Sequence, residues 1–406
     1  MKDLGFNKGL IIRKLRANIA ILEIYSHHVF VHTIASSLIL AGHNVTVYVS
    51  ARIYKDLEPM FLDAEQSLKF CVSANGEGDF AFLKRIREEI NQTFDLLIIN
   101  SIQGYRIGYL YLLKFKIPTI AAAGRISEFF GSKYKVSGLK TIRRIAHHNY
   151  TKFFLPKVIE RLEGLIVHTE KAKQLALCNG YSKPIHCMPF SLHINEPLII
   201  EKPKVTVNFL ITGSLTEHAR DYFSVLSVFE SIWKEGIKTA KLTVLSSPKT
   251  DYGYKVYNEM QRLGDLGYPI TYFSGWIPEQ QFVSETRKAD FLIAPILHEY
   301  YGAGEITSVE VESVRMGTPA LYPDWYFVDD NRKASSILYS SFAHLKELVT
   351  GFAINISSIW PIRESAKKNV EELCVENVSE KLNEFLNQNI FNTISEDCHR
   401  RKSVED

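Results

Sequence analysis

The sequence predicts an α/β protein built from two Rossmann-like, doubly wound domains that face each other across a cleft. Apolar strand-like runs alternate with segments of helical periodicity along most of the 406 residues. This alternation is lost once, in a proline-containing stretch before Val205, and then starts again. Alternating strands and helices favour parallel sheets with helices on both faces. A chain of this length is more typical of two domains than of one.

The first domain begins with a strand–helix–strand unit. Ala17–Tyr25 has the apolar character of a buried strand, residues 26–42 have helical spacing, and residues 44–50 alternate as a second strand. Because the two strands are joined by a helical crossover, they are expected to pair in parallel. Further strands are predicted at Phe94–Ser101, Ile117–Gly124 and Leu162–Thr169.

The second domain repeats the pattern. Its predicted strands are the runs "VNFLITGS", "AKLTVLSS", "ITYFSG", "DFLIAPI" and "ALY", with helical segments between them. The predicted organisation is therefore a first domain at 1–190, a linker at 191–204, a second domain at 205–375, and a C-terminal helix with a polar tail at 376–406.

One stretch of the second domain, His298–Trp325, places glutamates beside a glycine-containing loop at 300–304 and a short helix at 308–316. Thr307 or Ser308 has the position of an N-cap, with a glutamate at capping-box spacing, and Gly317 favours a left-handed C-cap. A helix N-terminus binds anions such as a diphosphate. Glutamates beside it suit sugar hydroxyls better than phosphate, whereas the alternative is a capped surface helix with solvated carboxylates.

Composition excludes several classes of protein. No apolar run approaches the ~18–20 residues of a membrane span, and the charged N-terminal residues argue against a signal peptide. The five cysteines are widely spaced, without zinc-ligand or redox-motif spacing. These features predict reduced cysteines and a cytoplasmic location.

The net charge of +3 hides an asymmetry. Residues 1–200 hold 26 Lys and Arg against 16 Asp and Glu, and the remainder holds 22 against 29. The basic excess is concentrated in an aromatic-rich stretch at 129–157, which contains no acidic residue. Its basic residues include Lys133, Lys135, Lys140, Arg143 and Arg144. Such a stretch favours an anionic membrane surface or acidic acceptor; a solvated helix face is the alternative, and no nucleic-acid motif accompanies it.

In this order along the chain, several segments resemble a known family. The segments are "LILAGHNVTVYV", "FDLLIINS", "KIPTIAA", "LEGLIVHTEKAKQLALCNGYSKPIHCMPFSLHIN", "VNFLITGSLTEHARDY", "PITYFSGWIPEQQFVSETRKADFLIAPILHEYYG" and "ESVRMGTPAL". Together they resemble the two-domain GT-B glycosyltransferases, most of all the retaining family 4. The resemblance implies a nucleotide-sugar donor bound in the cleft and no resident cofactor.

The resemblance also implies two site glutamates, one for the nucleotide ribose and one for the transferred sugar. Counting back from the Gly-Thr-Pro sequence at 317–319 places the ribose glutamate on Glu312. The sugar glutamate has two candidates, because the position that the family spacing reaches is Gly304. Glu299 is preferred for its likeness to the family's "EpfG" motif, and Glu305 is the second candidate.

The residues expected to bind the donor's diphosphate differ here from those of the family. The family places a basic pair in the loop that contains Gly213, but Gly213 is followed by Ser214 rather than arginine. Arg220 is the cation of that loop and takes the family lysine's role in this prediction, with a surface position as the alternative. Thr307 and Ser308 at the helix N-terminus would complete the anion site. Because the chain contains no Asp-x-Asp, no metal is expected.

Two further places depart from the family pattern. The family's histidine is replaced by Arg125 in "AAAGRISEFF", where an arginine would hold an acidic acceptor or the donor phosphate, or form an ion pair. The first loop carries His27 and His28 instead of glycines. A histidine there would bind phosphate or act as a base, and a capping or lining role is the alternative.

The leading functional hypothesis is therefore a metal-independent glycosyltransferase. It would act on a glycan or lipid-linked acceptor in surface polysaccharide or lipopolysaccharide assembly, on the cytoplasmic face of a membrane. Two alternatives are a nucleotide-sugar 2-epimerase and a non-catalytic relative that binds a nucleotide sugar or glycan. Nucleic acid is not an expected partner.

Overall fold

The computed structural model describes residues 16–25, 28–61, 68–102, 106–124, 126, 141–189, 205–302 and 304–392. Within them the chain forms two parallel β-sheets with helices between successive strands. The α/β prediction is confirmed. We call the first sheet with its helices the first lobe, and the second sheet with its helices the second lobe.

The first lobe contains a seven-stranded parallel sheet in the order β3-β2-β1-β4-β5-β6-β7. Register pairs Ile21 with Val47 on one side and with Ile98 on the other. The central strands are apolar and buried on both faces, as parallel strands covered by helices must be. The strands are β1 Asn18–Glu23, β2 Asn44–Val49, β3 Leu68–Val72, β4 Leu96–Ile99, β5 Thr119–Ala122, β6 Gly164–Val167 and β7 Ile185–Cys187.

The second lobe repeats this plan with a six-stranded parallel sheet in the order β10-β9-β8-β11-β12-β13. Phe209 on the central strand pairs with Leu242 and with Phe291. The strands are β8 Val207–Thr212, β9 Ala240–Leu245, β10 Ile270–Tyr272, β11 Phe291–Ile293, β12 Ala320–Pro323 and β13 Ser336–Tyr339.

Helices cover both faces of each sheet. Those of the first lobe are α1 His28–Leu40, α2 Ala51–Leu57, α3 Asp79–Thr93, α4 Arg106–Leu113, α5 Thr141–Ile159 and α6 Glu170–Cys178. Those that follow β8 are α7 Tyr222–Lys234, α8 Asp251–Asp265, α9 Glu279–Lys288, α10 His298–Tyr301, α11 Ser308–Met316, α12 Phe342–Ile354, α13 Trp360–Glu372 and α14 Val375–Leu386.

The last helix returns to the first lobe. On α14, Leu382 and Phe385 join the apolar core beneath α1, and the Ser379 hydroxyl donates to the Ser37 carbonyl at 2.7 Å. His43 and Asn383 lie 3.1 Å apart at the same contact. After α13 the described chain thus returns from the second lobe to pack on the first.

Strand order reverses at one place in each sheet, between β1 and β4 and between β8 and β11. Ligands of doubly wound sheets bind beyond the carboxyl ends of the strands at such a switch point. In the second lobe this point lies between Gly213, which follows β8, and the segment that follows β11 and contains α10.

Several local expectations needed correction. Residues 300–304 were expected to form a loop, whereas His298–Tyr301 is a short helix and Gly302 follows it. Strands β3, β7 and β13 were not predicted. The linker at 191–204 and the tail at 393–406 lie outside the described residues.

Candidate functional site

Arg220 lies at the switch point of the second sheet, beside the turn after β8. It is 4% exposed, and its guanidinium donates to the Ser308 hydroxyl at 2.9 Å and to the Ser214 carbonyl at 3.4 Å. The side chain therefore points toward the sheet edge rather than into solvent. The prediction placed Arg220 with Gly213, Ser214 and Ser308, and the structure brings these four residues together.

Gly213 is required at this turn for two reasons. Its φ of +102° lies in the left-handed region that side-chain-bearing residues rarely adopt. A Cβ atom there would lie 2.5 Å from the Arg220 guanidinium nitrogen and 2.6 Å from the Ser308 hydroxyl. The Tyr222 hydroxyl donates to the Gly213 carbonyl at 2.9 Å, which fixes the turn. A glycine thus allows the arginine and the serine to approach the backbone.

The N-terminus of α11 forms the other side of this site. Thr307 is the N-cap, and its hydroxyl accepts from the Glu310 amide at 3.0 Å. Gly317 ends the helix in the left-handed conformation, with φ of +59°. Both features were predicted. The helix N-terminus, the Ser308 hydroxyl and the Arg220 guanidinium together present partial and full positive charge at one place, which suits an anion.

The predicted glutamates occupy different settings. Glu305, two residues before the N-cap, is 5% exposed, and Glu312 on α11 is 9% exposed. Glu299 lies on α10 with its side chain exposed. The structure therefore places Glu305 just before α11 and Glu312 within it. Glu299 lies on the outside of the preceding short helix, α10.

Glu310 has a structural setting. Its carboxylate accepts from the Tyr326 hydroxyl and from the Arg332 guanidinium. Arg332 also donates to Asp329 at 2.7 Å, and the Tyr326 hydroxyl lies 3.3 Å from the Glu305 carbonyl. Of the two hydrogen bonds of a capping box, the one that the Thr307 hydroxyl accepts is formed. The Glu310 carboxylate instead binds Tyr326 and Arg332 in the segment after β12.

The first lobe meets this segment through the start of α6. The Thr169 hydroxyl donates to the Gly304 carbonyl at 3.2 Å, and the Lys171 ammonium donates to the Gly302 carbonyl at 2.9 Å. The Glu170 amide donates to the Asp329 carboxylate at 3.2 Å. Sequence reasoning missed these residues. Their one signal was their position just after β6, at the carboxyl edge of the first sheet.

The switch point of the first sheet holds a buried carboxylate. Glu23, at the end of β1, accepts from the Asn100 amide at 2.5 Å and the Ser101 hydroxyl at 2.8 Å, both just after β4. The Tyr25 amide donates to the same carboxylate at 2.5 Å. These bonds join the end of β1 to the segment after β4, and His28 is the first residue of α1. This cluster was not identified from the sequence either.

His32 on α1 packs against Phe61, with the ring centroids 4.8 Å apart. Burial, and then the positive charge of Arg315 on α11, lower the pKa of His32 to about 4. The imidazole is therefore neutral at physiological pH. Arg315 lies in the last turn of α11, at the opposite end of that helix from Ser308.

Several predicted residues lie outside the described residues, namely His27, Arg125, Lys133, Lys135 and Lys140. Arg143 and Arg144 lie on α5, but their side chains are also outside the described set. Within the described residues no group of three His, Cys, Asp or Glu side chains is arranged to hold a metal ion. Metal independence stays a prediction. None of the helices that the structure describes is long and apolar enough to cross a bilayer.

Comparison with known proteins identifies the fold. No family model and no curated protein matches the sequence. Solved structures match over nearly the whole chain. HepE from Anabaena, in complex with UDP and glucose, has a TM-score of 0.63 at 13% identity, with 92% of this chain and 100% of HepE covered. A glycosyltransferase from Rickettsia africae has a TM-score of 0.57 at 12% identity, with 92% and 98% covered.

An epimerase is also similar. UDP-GlcNAc 2-epimerase from Neisseria meningitidis, bound to UDP-GlcNAc, has a TM-score of 0.55 at 12% identity, with 92% of this chain and 100% of the epimerase covered. At these identities the likeness concerns the fold. The chain has the GT-B fold, with two Rossmann-like lobes, as predicted. Membership of the retaining family 4 stays a prediction.

Proposed function

We propose that this protein transfers a sugar from a nucleotide-sugar donor to a hydroxyl of a glycan or lipid-linked acceptor. One observation carries the proposal: Arg220, Ser308 and the Gly213 turn converge on the N-terminus of α11 at the switch point of the second sheet. This arrangement supports diphosphate binding without a metal, since a guanidinium and a helix N-terminus both stabilise phosphate oxygens.

The acidic residues beside that site have separate roles in the proposal. Glu312 accepts hydrogen bonds from the ribose hydroxyls of the donor. Glu305 accepts them from the transferred sugar and takes precedence over Glu299, because Glu305 is buried next to the helix N-terminus while Glu299 is exposed on α10. A carboxylate shielded from water makes a stronger hydrogen bond to a hydroxyl.

In the reaction, the bond between the anomeric carbon and the diphosphate oxygen breaks, and the acceptor oxygen bonds to the same carbon. The acceptor proton passes to the departing diphosphate. Attack on the face of the departing group would retain the configuration. Arg220 and the α11 N-terminus stabilise the charge that develops on the leaving group, while the lobes exclude water and align the acceptor.

A membrane-bound acceptor is the second part of the proposal. On the first lobe, Leu112 and Phe153 expose 60% and 57% of their surface. The Lys157 ammonium lies 3.7 Å from the Phe153 ring centroid, and the Arg161 guanidinium lies 4.6 Å from that of Tyr111. Exposed apolar side chains flanked by cations suit the interface of an anionic bilayer. The protein would then work peripherally on a cytoplasmic leaflet, in surface polysaccharide or lipopolysaccharide assembly.

The epimerase is the alternative, since a UDP-GlcNAc 2-epimerase shares the fold. One assay distinguishes the transferase from the epimerase. A purified transferase incubated with its sugar nucleotide leaves the sugar's C2 configuration unchanged and releases nucleoside diphosphate when the acceptor is added. An epimerase converts the sugar nucleotide to its epimer with no acceptor present. Chelators should leave the transferase active; loss of activity that added metal restores would contradict the metal-free site.

A further inference from the structure

The start of α6 makes three contacts with the opposite lobe through three successive residues. The Thr169 hydroxyl donates to the Gly304 carbonyl at 3.2 Å, the Glu170 backbone amide to the Asp329 carboxylate at 3.2 Å, and the Lys171 ammonium to the Gly302 carbonyl at 2.9 Å. Two of the acceptors are backbone carbonyls on either side of residue 303. These bonds therefore hold the backbone that leads into Glu305.

The Thr169 hydroxyl makes hydrogen bonds in both lobes. Its hydroxyl accepts from the Ala172 amide at 3.0 Å as the N-cap of α6, and it donates its proton to the Gly304 carbonyl. A hydroxyl can do both because it has one donor and two acceptor sites. The geometry that begins α6 thus also sets the position of the second lobe's turn.

Shape supports the same contact. Gly304 has a φ of +88°, and a Cβ atom there would lie 3.1 to 3.3 Å from three carbons of the Lys171 side chain. The lysine stem therefore packs against the glycine backbone, while its ammonium reaches the Gly302 carbonyl. A side chain at residue 304 would be strained by its backbone conformation and crowded by the lysine.

A chain of polar contacts connects the hydrogen bond between Glu170 and Asp329 to Glu305. Asp329 accepts from the Glu170 amide through one oxygen and from Arg332 through the other, at 3.2 and 2.7 Å. Arg332 donates to Glu310, and Glu310 accepts from Tyr326. The Tyr326 hydroxyl also lies 3.3 Å from the Glu305 carbonyl. Glu305 is thus held from the first lobe through Gly304 and from within its own lobe through Tyr326.

We propose that Thr169, Glu170 and Lys171 form an interlobe latch that positions the turn carrying Glu305, so that the sugar-binding carboxylate is set only while the lobes are closed. The part that assigns sugar binding to this turn rests on the proposed function. Lys171 is a positioning residue in this account, because it acts on the backbone beside Glu305.

The latch can be tested without any ligand. In Lys171→Met, hydrogen exchange of the amides at 304–307 should rise roughly 10-fold, as expected for one lost hydrogen bond, and the radius of gyration in solution should increase. Lys171→Arg should restore both toward wild type. Lys173→Met is the matched control, because Lys173 lies on the same helix and pairs with Glu170 at 3.5 Å. Its exchange at 304–307 should stay at the wild-type rate.

Asp329→Asn provides a second variant that preserves shape and removes the carboxylate. Asparagine offers one acceptor oxygen to the two donors that Asp329 binds, the Glu170 amide and Arg332, so exchange at the same amides should rise. Unchanged exchange at 304–307 and an unchanged radius in both Lys171→Met and Asp329→Asn would overturn the latch. Failure of wild-type protein to bind any nucleoside diphosphate or sugar nucleotide would instead count against the proposed function, and would leave the exchange result to decide the latch.

Discussion

The Arg220 guanidinium donates to the Ser308 hydroxyl at 2.9 Å, which joins the turn after β8 to the first residue of α11. The two residues are far apart in sequence and come from opposite sides of the switch point. A buried arginine is costly unless its charge is balanced, and a bound diphosphate would balance it.

Arg220→Met should therefore abolish most nucleotide binding. Loss of a charge-assisted contact costs about 1.5–3 kcal/mol, or roughly 10- to 150-fold in affinity, and the measurement is calorimetric titration with nucleoside diphosphates. Arg262→Met, on the exposed surface of α8, is the control. Equal affinities of wild type and Arg220→Met for nucleoside diphosphates would show that the diphosphate does not bind at Arg220.

The two buried glutamates should separate nucleotide from sugar recognition. Glu312→Gln should weaken binding of both nucleoside diphosphate and sugar nucleotide, by about 1–3 kcal/mol, because each contains the ribose. Glu305→Gln should weaken binding of the sugar nucleotide alone. Glu299→Gln is the control for an exposed carboxylate of the same segment. A loss of sugar-nucleotide affinity confined to Glu299→Gln would assign the sugar contact to Glu299 on α10.

Stability should fall in mild acid because His32 stays neutral in the folded protein. Its pKa is lowered to about 4 by burial and by Arg315, against an ordinary value of about 6.5 in the unfolded chain. As pH falls from 6.5 to 4, the unfolded chain gains a proton that the folded protein does not, so the unfolding free energy should decrease by about 1–3 kcal/mol. His186, whose pKa burial also lowers to about 4, adds to the same trend.

The measurement is urea unfolding at several pH values. His32→Gln should flatten part of the decrease, since glutamine does not titrate, while His344→Gln in the second lobe serves as the control. If His32→Gln and wild type lose stability equally between pH 6.5 and 4, His32 does not stay neutral in the fold.

Vesicle binding tests the exposed surface of the first lobe. Phe153→Ser combined with Lys157→Glu should reduce binding to anionic vesicles, because about 1 kcal/mol is lost per basic residue near such a surface, in addition to the apolar contact. The matched control is Phe223→Ser with Lys238→Glu, two exposed residues of the second lobe. Equal binding of the two double variants in a flotation assay would mean that this surface does not dock.

The sequence predicted the fold well because the central strands are buried on both faces and therefore apolar throughout. The strands that it missed, β3, β7 and β13, lie at sheet edges, where the side chains are mostly half-buried and the apolar signal is weak. Edge strands pair on one side only, so their sequences are less constrained.

Local features of the site were also predictable. Thr307 and Gly317 cap α11 as their residue types indicate, because capping depends on neighbouring backbone. The partners of Glu310 and Lys171 were not predictable. Arg332 lies 22 residues after Glu310, and Gly302 lies 131 residues after Lys171. Packing within the second lobe brings Arg332 to Glu310, and packing between the two lobes brings Lys171 to Gly302.

The most direct test of the central claim is a thermal-shift screen of the wild-type protein against nucleoside diphosphates and their sugar conjugates, with Arg220→Met in parallel. A ligand at 100 times its dissociation constant adds about 2.7 kcal/mol of stability, which corresponds to a rise of roughly 5–10 °C in the midpoint for domains of this size. The account predicts such a rise with at least one sugar nucleotide in wild type and its loss in Arg220→Met. A wild-type midpoint that no compound moves, or a rise that Arg220→Met retains in full, would contradict it.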